Sequence, residues 1–276
     1  MLLKDAIERL AEAGVEYPEQ DARVIFEDIG GISRHLLAFR DTECSSREVE
    51  EAVERRIAGE PLQYIIGKVA FYREEYKVAP DCLIPREDTE ILVDYAVGNL
   101  PRGARFLDLC TGSGCIAVST LKNTCETAAL AVDISEGALT LARENATANG
   151  VSDRLKLLRL DLLEEGEELV GEKYAAVLSN PPYVSLDEYG QLARELYREP
   201  RIALTDEGDG SGFYKRLVPL SKDLIDDSGF IALEIGYRQG ELLRALAKEN
   251  RLTVEILRDL SGNERVAVLR PMNDRR

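Results

Sequence analysis

The sequence predicts an α/β protein built on a doubly wound, mostly parallel sheet of seven strands. From residue 105 onward, short apolar runs alternate with segments of helical periodicity, and this alternation is typical of successive β-α-β units. The last two runs are joined by Leu260-Ser-Gly-Asn-Glu264 without a helix, so we expect the last strand to be antiparallel. The segments before residue 85 have other periods and predict a small helical bundle followed by a β-hairpin.

Residues 1–61 are predicted to form the helical domain. Apolar residues recur there at helical spacing in four short segments. Ser45-x-x-Glu48 has the pattern of a capping box at the start of the fourth segment. The apolar faces of such helices pack together as a bundle. The residues leave two roles open for this domain: recognition of a partner, or stabilisation of the chain.

The next segment, residues 62–84, is predicted to be a β-hairpin linker. The runs 64–72 and 75–79 are rich in aromatic and β-branched residues and lie on either side of a charged turn.

The third domain, residues 85–276, carries the alternating pattern. Its first helix is predicted to start with Asp88 or Thr89 as the capping residue and to end at Gly98. Strands are predicted at 105–109, 128–132, 155–159, 174–179, 229–235, 252–257 and 265–270, and helices at 115–122, 136–149, 212–225 and 239–248.

Composition and charge exclude several classes of protein. The chain has no run of about 18 apolar residues that would span a membrane, and its first ten residues lack the apolar core of a signal peptide. The net charge of −16 is unlike that of a protein that holds nucleic acid by its phosphates. We therefore expect a cytoplasmic protein with no membrane partner and no direct nucleic-acid binding.

The cysteines and the single histidine predict no metal site. The sequence contains no Cys-x-x-Cys pair, and its one histidine, His35, lies far from every motif, so no zinc-ligand set is present. An odd number of unpaired thiols is typical of a reducing compartment. The five cysteines are Cys44, Cys82, Cys110, Cys115 and Cys125.

The tetrapeptide Asn180-Pro-Pro-Tyr183 follows the apolar run 174–179, which is typical of a buried parallel strand. Two prolines cannot continue the ladder because neither has a backbone donor. The strand therefore ends at Asn180, at the edge of the sheet where open α/β folds bind ligands. The Asn180 amide oxygen and the Pro181 carbonyl would form a rigid pair of acceptors for a planar NH2 group, with Pro182 and Tyr183 as walls. We predict Asn180 and Pro181 as catalytic residues and all four as substrate-binding residues.

A glycine turn between a predicted strand and a predicted helix is the candidate cofactor site. Gly112 and Gly114 allow the backbone to approach a ligand closely, at the start of the helix. Taken alone, this turn also fits a nicotinamide-binding loop. Asp108, just before the turn, would repel a phosphate and suits an ammonium group. The residues predicted to contact the ligand here are Asp108, Cys110, Thr111, Gly112, Ser113 and Gly114.

Two further acids narrow the choice of ligand. Asp133 ends the second predicted strand, the position that binds a ribose diol. Asp161-Leu162 follows the third, where a carboxylate can accept from an adenine amino group beside an apolar wall. A ligand with an ammonium group, a ribose, an adenine and no phosphate is S-adenosylmethionine. We predict that Asn180 also contributes to this cofactor site.

These motifs resemble a known family. The order Gly112, Asp133, Asn180 is similar to that of class I S-adenosylmethionine-dependent methyltransferases, and Asn-Pro-Pro-Tyr is similar to the motif of members that methylate planar NH2 nitrogens. Further segments resemble the peptide chain release factor glutamine methyltransferases across nearly the whole chain. They are Gly59–Gly67, Phe71, Leu83–Glu90, Glu199-Pro200, Ala203-Leu204, Gly208–Gly210, Leu233–Gly236 with Gln239, and Asp259–Arg265. One departure is Cys110, where many relatives have glycine.

The resemblance implies a substrate and a reaction. The substrate is the glutamine of the Gly-Gly-Gln motif in class I release factors, and the product is methylated on the side-chain amide nitrogen. The helical domain and the hairpin linker fit the architecture of that family. Two alternatives stay open at this point: an amino-methyltransferase acting on rRNA or DNA, and a non-catalytic adaptor that binds translation factors.

Overall fold

The computed structural model describes residues 1–272. They divide into two units, which are described separately. The first comprises Met1–Lys68 together with Ala193–Arg198, and the second comprises Val69–Leu192 and the described residues from Glu199 onward.

The first unit is a bundle of short helices. Its helices are α1 (Leu3–Glu12), α2 (Pro18–Asp28), α3 (Arg47–Ile57) and α4 (Leu62–Ile66), with a 3-10 turn at Leu36–Ala38. Their apolar faces meet in one core that contains Leu10, Phe26 and Val53, all fully buried. The predicted helical domain is therefore present.

Two local predictions in this unit are wrong. Helix α3 is capped by Ser46, whose Oγ accepts from the backbone N–H of Val49, and not by Ser45. The run 64–72 is predicted to be a strand throughout, but residues 64–66 lie in α4, and only Lys68–Phe71 forms a strand. Helix α4 starts after Pro61 and ends at Gly67, which adopts φ 81°. A short apolar run does not distinguish a strand from a buried helical turn, and here the proline and the left-handed glycine favour the helix.

A buried ion cluster holds residues 193–198 in the first unit. The Arg56 side chain is 6% exposed. Its Nε donates to Asp21 Oδ2 at 2.6 Å, and its Nη2 donates to Glu195 Oε1 at 2.6 Å. Its Nη1 donates to the Glu60 carbonyl at 3.0 Å. Burial raises the pKa of Asp21, and the hydrogen bond from Arg56 opposes that rise.

Arg56→Ala is expected to lower the free energy of unfolding by about 3 to 5 kcal/mol, because it leaves the Asp21 carboxylate buried without its cation. Urea denaturation followed by circular dichroism measures this loss. The matched control is Arg47→Ala, which removes an exposed i,i+4 pair with Glu51 and should cost less than about 1 kcal/mol. Equal losses in the two variants would contradict the assigned role of Arg56.

The second unit starts with a two-stranded hairpin and a helix. The hairpin consists of β1 (Lys68–Phe71) and β2 (Glu74–Lys77), and a 3-10 turn at Glu87–Thr89 leads into α5 (Glu90–Asn99). The predicted cap of α5 is wrong in its chemistry. Thr89 occupies the N-cap position, but its hydroxyl makes no cap hydrogen bond.

A seven-stranded sheet forms the centre of this unit. Its strands are β3 (Arg105–Leu109), β4 (Ala128–Asp133), β5 (Leu155–Arg159), β6 (Tyr174–Ser179), β7 (Ile225–Glu234), β8 (Leu252–Arg258) and β9 (Glu264–Pro271). Their order is β5-β4-β3-β6-β7-β9-β8. The first five pair in parallel, and β9 is antiparallel to both β7 and β8.

Helices cover both faces of the sheet. They are α6 (Cys115–Asn123), α7 (Glu136–Ala148), α10 (Gly212–Leu224) and α11 (Gly240–Glu249), with two one-turn helices, α8 (Leu186–Tyr189) and α9 (Arg201–Leu204). Helices α5 and α6 pack in one apolar core, and α10 and α11 pack in the other. The predicted fold class is confirmed, including the antiparallel last strand. Within residues 1–272, no helix has the length and apolar character needed to cross a bilayer.

The strand order places the functional edge of the sheet. From β3 the chain proceeds outward through β4 and β5 and then returns to form β6 on the other side of β3. This reversal is a topological switch point, where the loops after neighbouring strands diverge and leave a crevice. The loops after β3, β4, β5 and β6 carry the residues predicted from the sequence.

Candidate active site

The loop after β3 has an unusual backbone. Cys110, Gly112 and Gly114 all adopt positive φ, at 59°, 55° and 81°. Gly114 also lies against α7, since an added Cβ would come 3.0 Å from the Cβ of Ala142. The left-handed conformation of Cys110 is one that glycine adopts without steric cost, whereas a residue with a Cβ is strained there.

Asp108 lies beneath this loop rather than on the wall of the cavity. Its side chain is 0% exposed. Its Oδ2 accepts from the Thr111 hydroxyl at 2.6 Å and from the Ala117 N–H at 3.1 Å, while Oδ1 has no hydrogen-bond partner among the described residues. Burial raises the pKa of Asp108 to about 7. These contacts fasten the loop to the start of α6, and the structure does not bring the carboxylate to the position that we predicted for an ammonium group.

Asp133 ends β4 and faces the glycine turn. Its Oδ2 accepts from the Gly112 N–H at 2.8 Å, and its Oδ1 accepts from the Ser135 N–H at 2.9 Å. Each carboxylate oxygen has a further lone pair, so the group can still accept from two hydroxyls of a ligand. Burial raises the pKa of Asp133, and the backbone N–H donors oppose that rise.

A third acid follows β5. Asp161 Oδ1 accepts from the Leu163 N–H at 2.9 Å, which holds the chain in a turn. Leu162 is buried, and the exposed side chains of Ile134 and Leu163 lie on the same cavity. This part of the cavity combines one carboxylate with apolar walls.

A cavity of about 260 Å³ joins these loops to the end of β6. Among the predicted site residues, Asp108, Gly114, Pro181 and Tyr183 do not line it. Those that do are Cys110, Thr111, Gly112, Ser113, Asp133, Asp161, Leu162, Asn180 and Pro182.

Asn180 belongs to a buried hydrogen-bond chain. Its Nδ2 donates to Thr89 Oγ1 at 3.2 Å. The Thr89 hydroxyl in turn donates to Glu234 Oε2 at 2.5 Å, and the Tyr183 hydroxyl donates to Glu234 Oε1 at 3.1 Å. The chain thus connects both ends of the Asn-Pro-Pro-Tyr segment to a carboxyl group at the end of β7.

Gln239 fixes the backbone of the same segment. Its Nε2 donates to the carbonyls of Tyr183 and Gly210, both at 3.1 Å. Its Oε1 accepts from the Gly236 N–H at 2.9 Å and from the Tyr214 hydroxyl at 3.0 Å. One amide therefore joins three loops at the carboxyl edge of the sheet.

A second buried carboxylate, that of Glu199, holds the other rim of the cavity. Glu199 accepts from the Ile84 N–H at 2.9 Å and from the Arg86 guanidinium. Of the described residues that line the cavity, Arg86 is the one basic side chain, and it is paired in this way. The remaining charged residues of the lining are acidic: Asp81, Asp133, Asp161, Asp206 and Glu207.

This set of donors and acceptors tests which ligand the cavity fits. A phosphate would meet mostly carboxylates and no unpaired cation among the described lining residues, so a dinucleotide is disfavoured. A cationic nucleoside meets a carboxylate at the end of β4, a glycine turn and apolar walls, and these residues fit S-adenosylmethionine.

Reasoning from residue chemistry did not single out the partners Glu234, Gln239 and Glu199. Each has at least one partner that lies far away in the chain: Thr89 for Glu234, Tyr183 for Gln239 and Ile84 for Glu199. The segments quoted for the family resemblance contain each of them, which was the one available signal. The resemblance did not indicate what these three side chains contact, because their contacts depend on how the elements of the fold are arranged.

Comparison with known proteins agrees with this geometry. Residues 1–67 match the PrmC N-terminal domain family, and residues 87–219 match the methyltransferase small domain family. A release factor glutamine methyltransferase of Moorella thermoacetica is 36% identical over 271 residues, which cover 95% of this chain and 95% of that protein. A release factor glutamine methyltransferase of Streptococcus pneumoniae is 40% identical over 234 residues, which cover 83% of this chain and 81% of that protein.

Solved structures share the fold at low sequence identity. The hMettl16 catalytic domain, solved in complex with the MAT2A 3'UTR hairpin 6, aligns with a TM-score of 0.57 and 15% identity over 83% of this chain and 84% of that one. This similarity shows a common architecture and carries no information about the substrate.

Proposed function

Because this chain belongs to the release factor glutamine methyltransferase family, we propose that it methylates the glutamine of the Gly-Gly-Gln motif in class I peptide chain release factors. The methyl group comes from S-adenosylmethionine, and the acceptor is the side-chain amide nitrogen. The family membership confirms the resemblance that the motifs gave. The observation that carries the proposal is that Asn180, the glycine turn and Asp133 line one cavity.

The glycine turn and the acids hold the donor. Asp133 accepts from the ribose hydroxyls while the Gly112 N–H keeps its carboxylate oriented. Asp161 accepts from the adenine amino group, beside Leu162 and Ile134. When bound, S-adenosylmethionine supplies an electrophilic methyl group on a positively charged sulfur.

The end of β6 holds the acceptor. An amide nitrogen is a weak nucleophile because its lone pair is delocalised into the carbonyl. Asn180 Oδ1 and the Pro181 carbonyl accept its two N–H groups, which fixes the direction of the lone pair and favours the positive charge that develops on nitrogen. Pro182 lines the cavity and stiffens the turn. Tyr183, predicted as a wall of the pocket, does not line the cavity and instead donates its hydroxyl to Glu234. No strong base is required, because the methylated nitrogen becomes acidic and loses its proton to water.

The partners follow from the same proposal. Residues 1–61 are assigned to recognition of the release factor, supported by the match of residues 1–67 to the PrmC N-terminal domain family. The methyltransferase domain is assigned to residues 85–276. The linker predicted at 62–84 is shortened to the hairpin that follows α4, because Leu62–Ile66 is helical and lies in the first unit. We place the protein in the cytoplasm, and the net charge of −16 argues against direct contact with nucleic acid.

Incubation with S-adenosylmethionine labelled in its methyl group tests the substrate class. A purified release factor, ribosomal RNA and duplex DNA are offered in separate reactions. We expect label in the release factor alone. Label in either nucleic acid, with the release factor unlabelled, would overturn the assignment in favour of an amino-methyltransferase acting on bases. Cofactor binding with no transfer to any of the three would favour an adaptor.

A further inference from the structure

Glu234 is a buried acid to which the mechanism above assigns no role. It ends β7 beneath the Asn-Pro-Pro-Tyr segment and is 2% exposed. A carboxyl group in such a place costs free energy unless it is hydrogen-bonded. Both of its oxygens have a donor, the Thr89 hydroxyl at 2.5 Å and the Tyr183 hydroxyl at 3.1 Å. The Glu234 carboxyl group is therefore hydrogen-bonded to residues of the site and is not an unpaired acid in the apolar core.

The chemistry of the donors gives the chain a direction. An ionised carboxylate can only accept hydrogen bonds, so the Thr89 hydroxyl donates its single hydrogen to Glu234. The Thr89 oxygen is then free only as an acceptor, and it receives the NH2 group of Asn180 at 3.2 Å. An amide whose NH2 is held in this way has its Oδ1 turned away from Thr89. Since Asn180 lines the cavity, its Oδ1 is left to accept from a ligand there.

We propose that Glu234 and Thr89 are positioning residues, which act through Asn180 to keep its amide oxygen available to the substrate NH2 group. The proposal rests on the function assigned above. It adds a reason why the site binds a substrate group that donates hydrogen bonds, such as the NH2 of a side-chain amide. Without this chain, the two ends of the Asn180 amide are nearly equal in shape. Half of the orientations would then present an NH2 group to the substrate NH2, and two donors cannot pair.

The chain reverses when Glu234 carries a proton. A protonated carboxyl group can donate to Thr89, whose hydroxyl then donates to Asn180 Oδ1 and turns the NH2 toward the cavity. Burial raises the pKa of Glu234 to about 7, while hydrogen bonds from Thr89 and Tyr183 oppose the rise. The charged and titratable groups that face Glu234 are Asp88, Arg265, Tyr183, Tyr214 and Cys115. Asp88 raises its pKa further and Arg265 lowers it.

Two variants of Thr89 separate positioning from packing. Thr89→Val keeps the shape but removes the hydroxyl, and we expect kcat for release factor methylation to fall about 100-fold. The dissociation constant for S-adenosylmethionine should stay within about twofold, since Asp133 and the glycine turn, to which the cofactor is assigned, are unchanged. Thr89→Ser restores the hydroxyl and should recover most of the rate. Turnover by Thr89→Val close to that of Thr89→Ser would overturn the proposal.

The pH dependence of kcat tests the proposal in a second way, because a residue that only fills space would not change that dependence. In the unaltered enzyme, kcat is expected to rise with pH through about 7, because the ionised form of Glu234 sets the productive orientation. In Glu234→Gln, which keeps the size of the side chain, kcat should be low and independent of pH in this range. A rise of the same size through this range in Glu234→Gln would assign the titration to another group, such as Asp108, whose pKa burial also raises to about 7. That result would overturn the proposal even if Thr89→Val fails to fold.

A measurement without substrate separates this proposal from the proposed function. In NMR spectra of labelled protein, the side-chain NH2 of Asn180 should exchange with solvent more slowly in the unaltered chain than in Thr89→Val. This difference is expected whatever the methyl acceptor is, whereas a failure of release factor labelling concerns the substrate alone. Equal exchange rates in the two proteins would show that Thr89 does not hold the amide.

Discussion

Asn180→Ala is expected to reduce kcat for release factor methylation by about 100-fold to 1,000-fold, the usual loss when one preorganised hydrogen-bonding group is removed from a transition-state site. The alanine cannot accept an N–H from the substrate, so the amide nitrogen is no longer held with its lone pair toward the methyl group. Cofactor binding should largely persist, because Asp133 and the glycine turn are unchanged. Single-turnover transfer and calorimetric titration with S-adenosylmethionine measure the two effects separately.

A matched control is Asn99→Ala. Asn99 is exposed at the end of α5, and its Nδ2 donates to the Tyr95 carbonyl within the same helix, so turnover should be unchanged. Normal turnover by Asn180→Ala would remove Asn180 from the reaction. A parallel loss of cofactor binding in Asn180→Ala would assign its main role to the cofactor site rather than to holding the methyl acceptor.

Asp133→Ala is expected to weaken S-adenosylmethionine binding by about 100-fold or more. Hydrogen bonds to a charged group contribute about 1.5 to 3 kcal/mol each, and about 1.4 kcal/mol corresponds to tenfold in affinity. The variant loses two acceptors for the ribose and also frees the Gly112 N–H, which the carboxylate holds at 2.8 Å. Calorimetric titration gives the dissociation constant directly.

Two further variants serve as controls for the loss of affinity in Asp133→Ala. Asp133→Asn keeps the size and one acceptor, so its affinity should fall between those of Asp133→Ala and the unaltered protein. Asp153→Ala removes an exposed acid elsewhere in the same unit and should leave affinity unchanged. Undiminished affinity in Asp133→Ala would show that the end of β4 is not the ribose site.

The sheet could be predicted because buried parallel strands are nearly continuous apolar runs. The run 128–132 became part of β4 and the run 174–179 became β6. Their carboxyl ends fixed where Asp133 and Asn180 would lie, since all parallel strands end at one edge. Only the start of the run 64–72 failed as a strand, because so short an apolar stretch also suits a helical turn, and Pro61 and Gly67 enclose that turn. Lys68–Phe71 of the same run formed β1.

The buried hydrogen bonds beneath the site could not be predicted in the same way. Thr89 and Glu234 are separated by 145 positions in the chain and meet because α5, which Thr89 precedes, packs against β7. The pattern around Thr89 indicated a helix cap, and its hydroxyl is used for Glu234 instead. Asp108 was expected to face a ligand, but a carboxylate at the end of a central strand can equally fasten the loop that follows, as it does here.

The central claim is that the end of β6 presents a side-chain amide nitrogen to the methyl donor, and the position of the transferred methyl group tests it most directly. A release factor is methylated with the purified protein, digested and sequenced by tandem mass spectrometry. We predict one methyl group on the side-chain nitrogen of the Gly-Gly-Gln glutamine, and none when that glutamine is replaced by alanine. A methyl group on any other residue, or undiminished transfer to the alanine variant, would contradict the account.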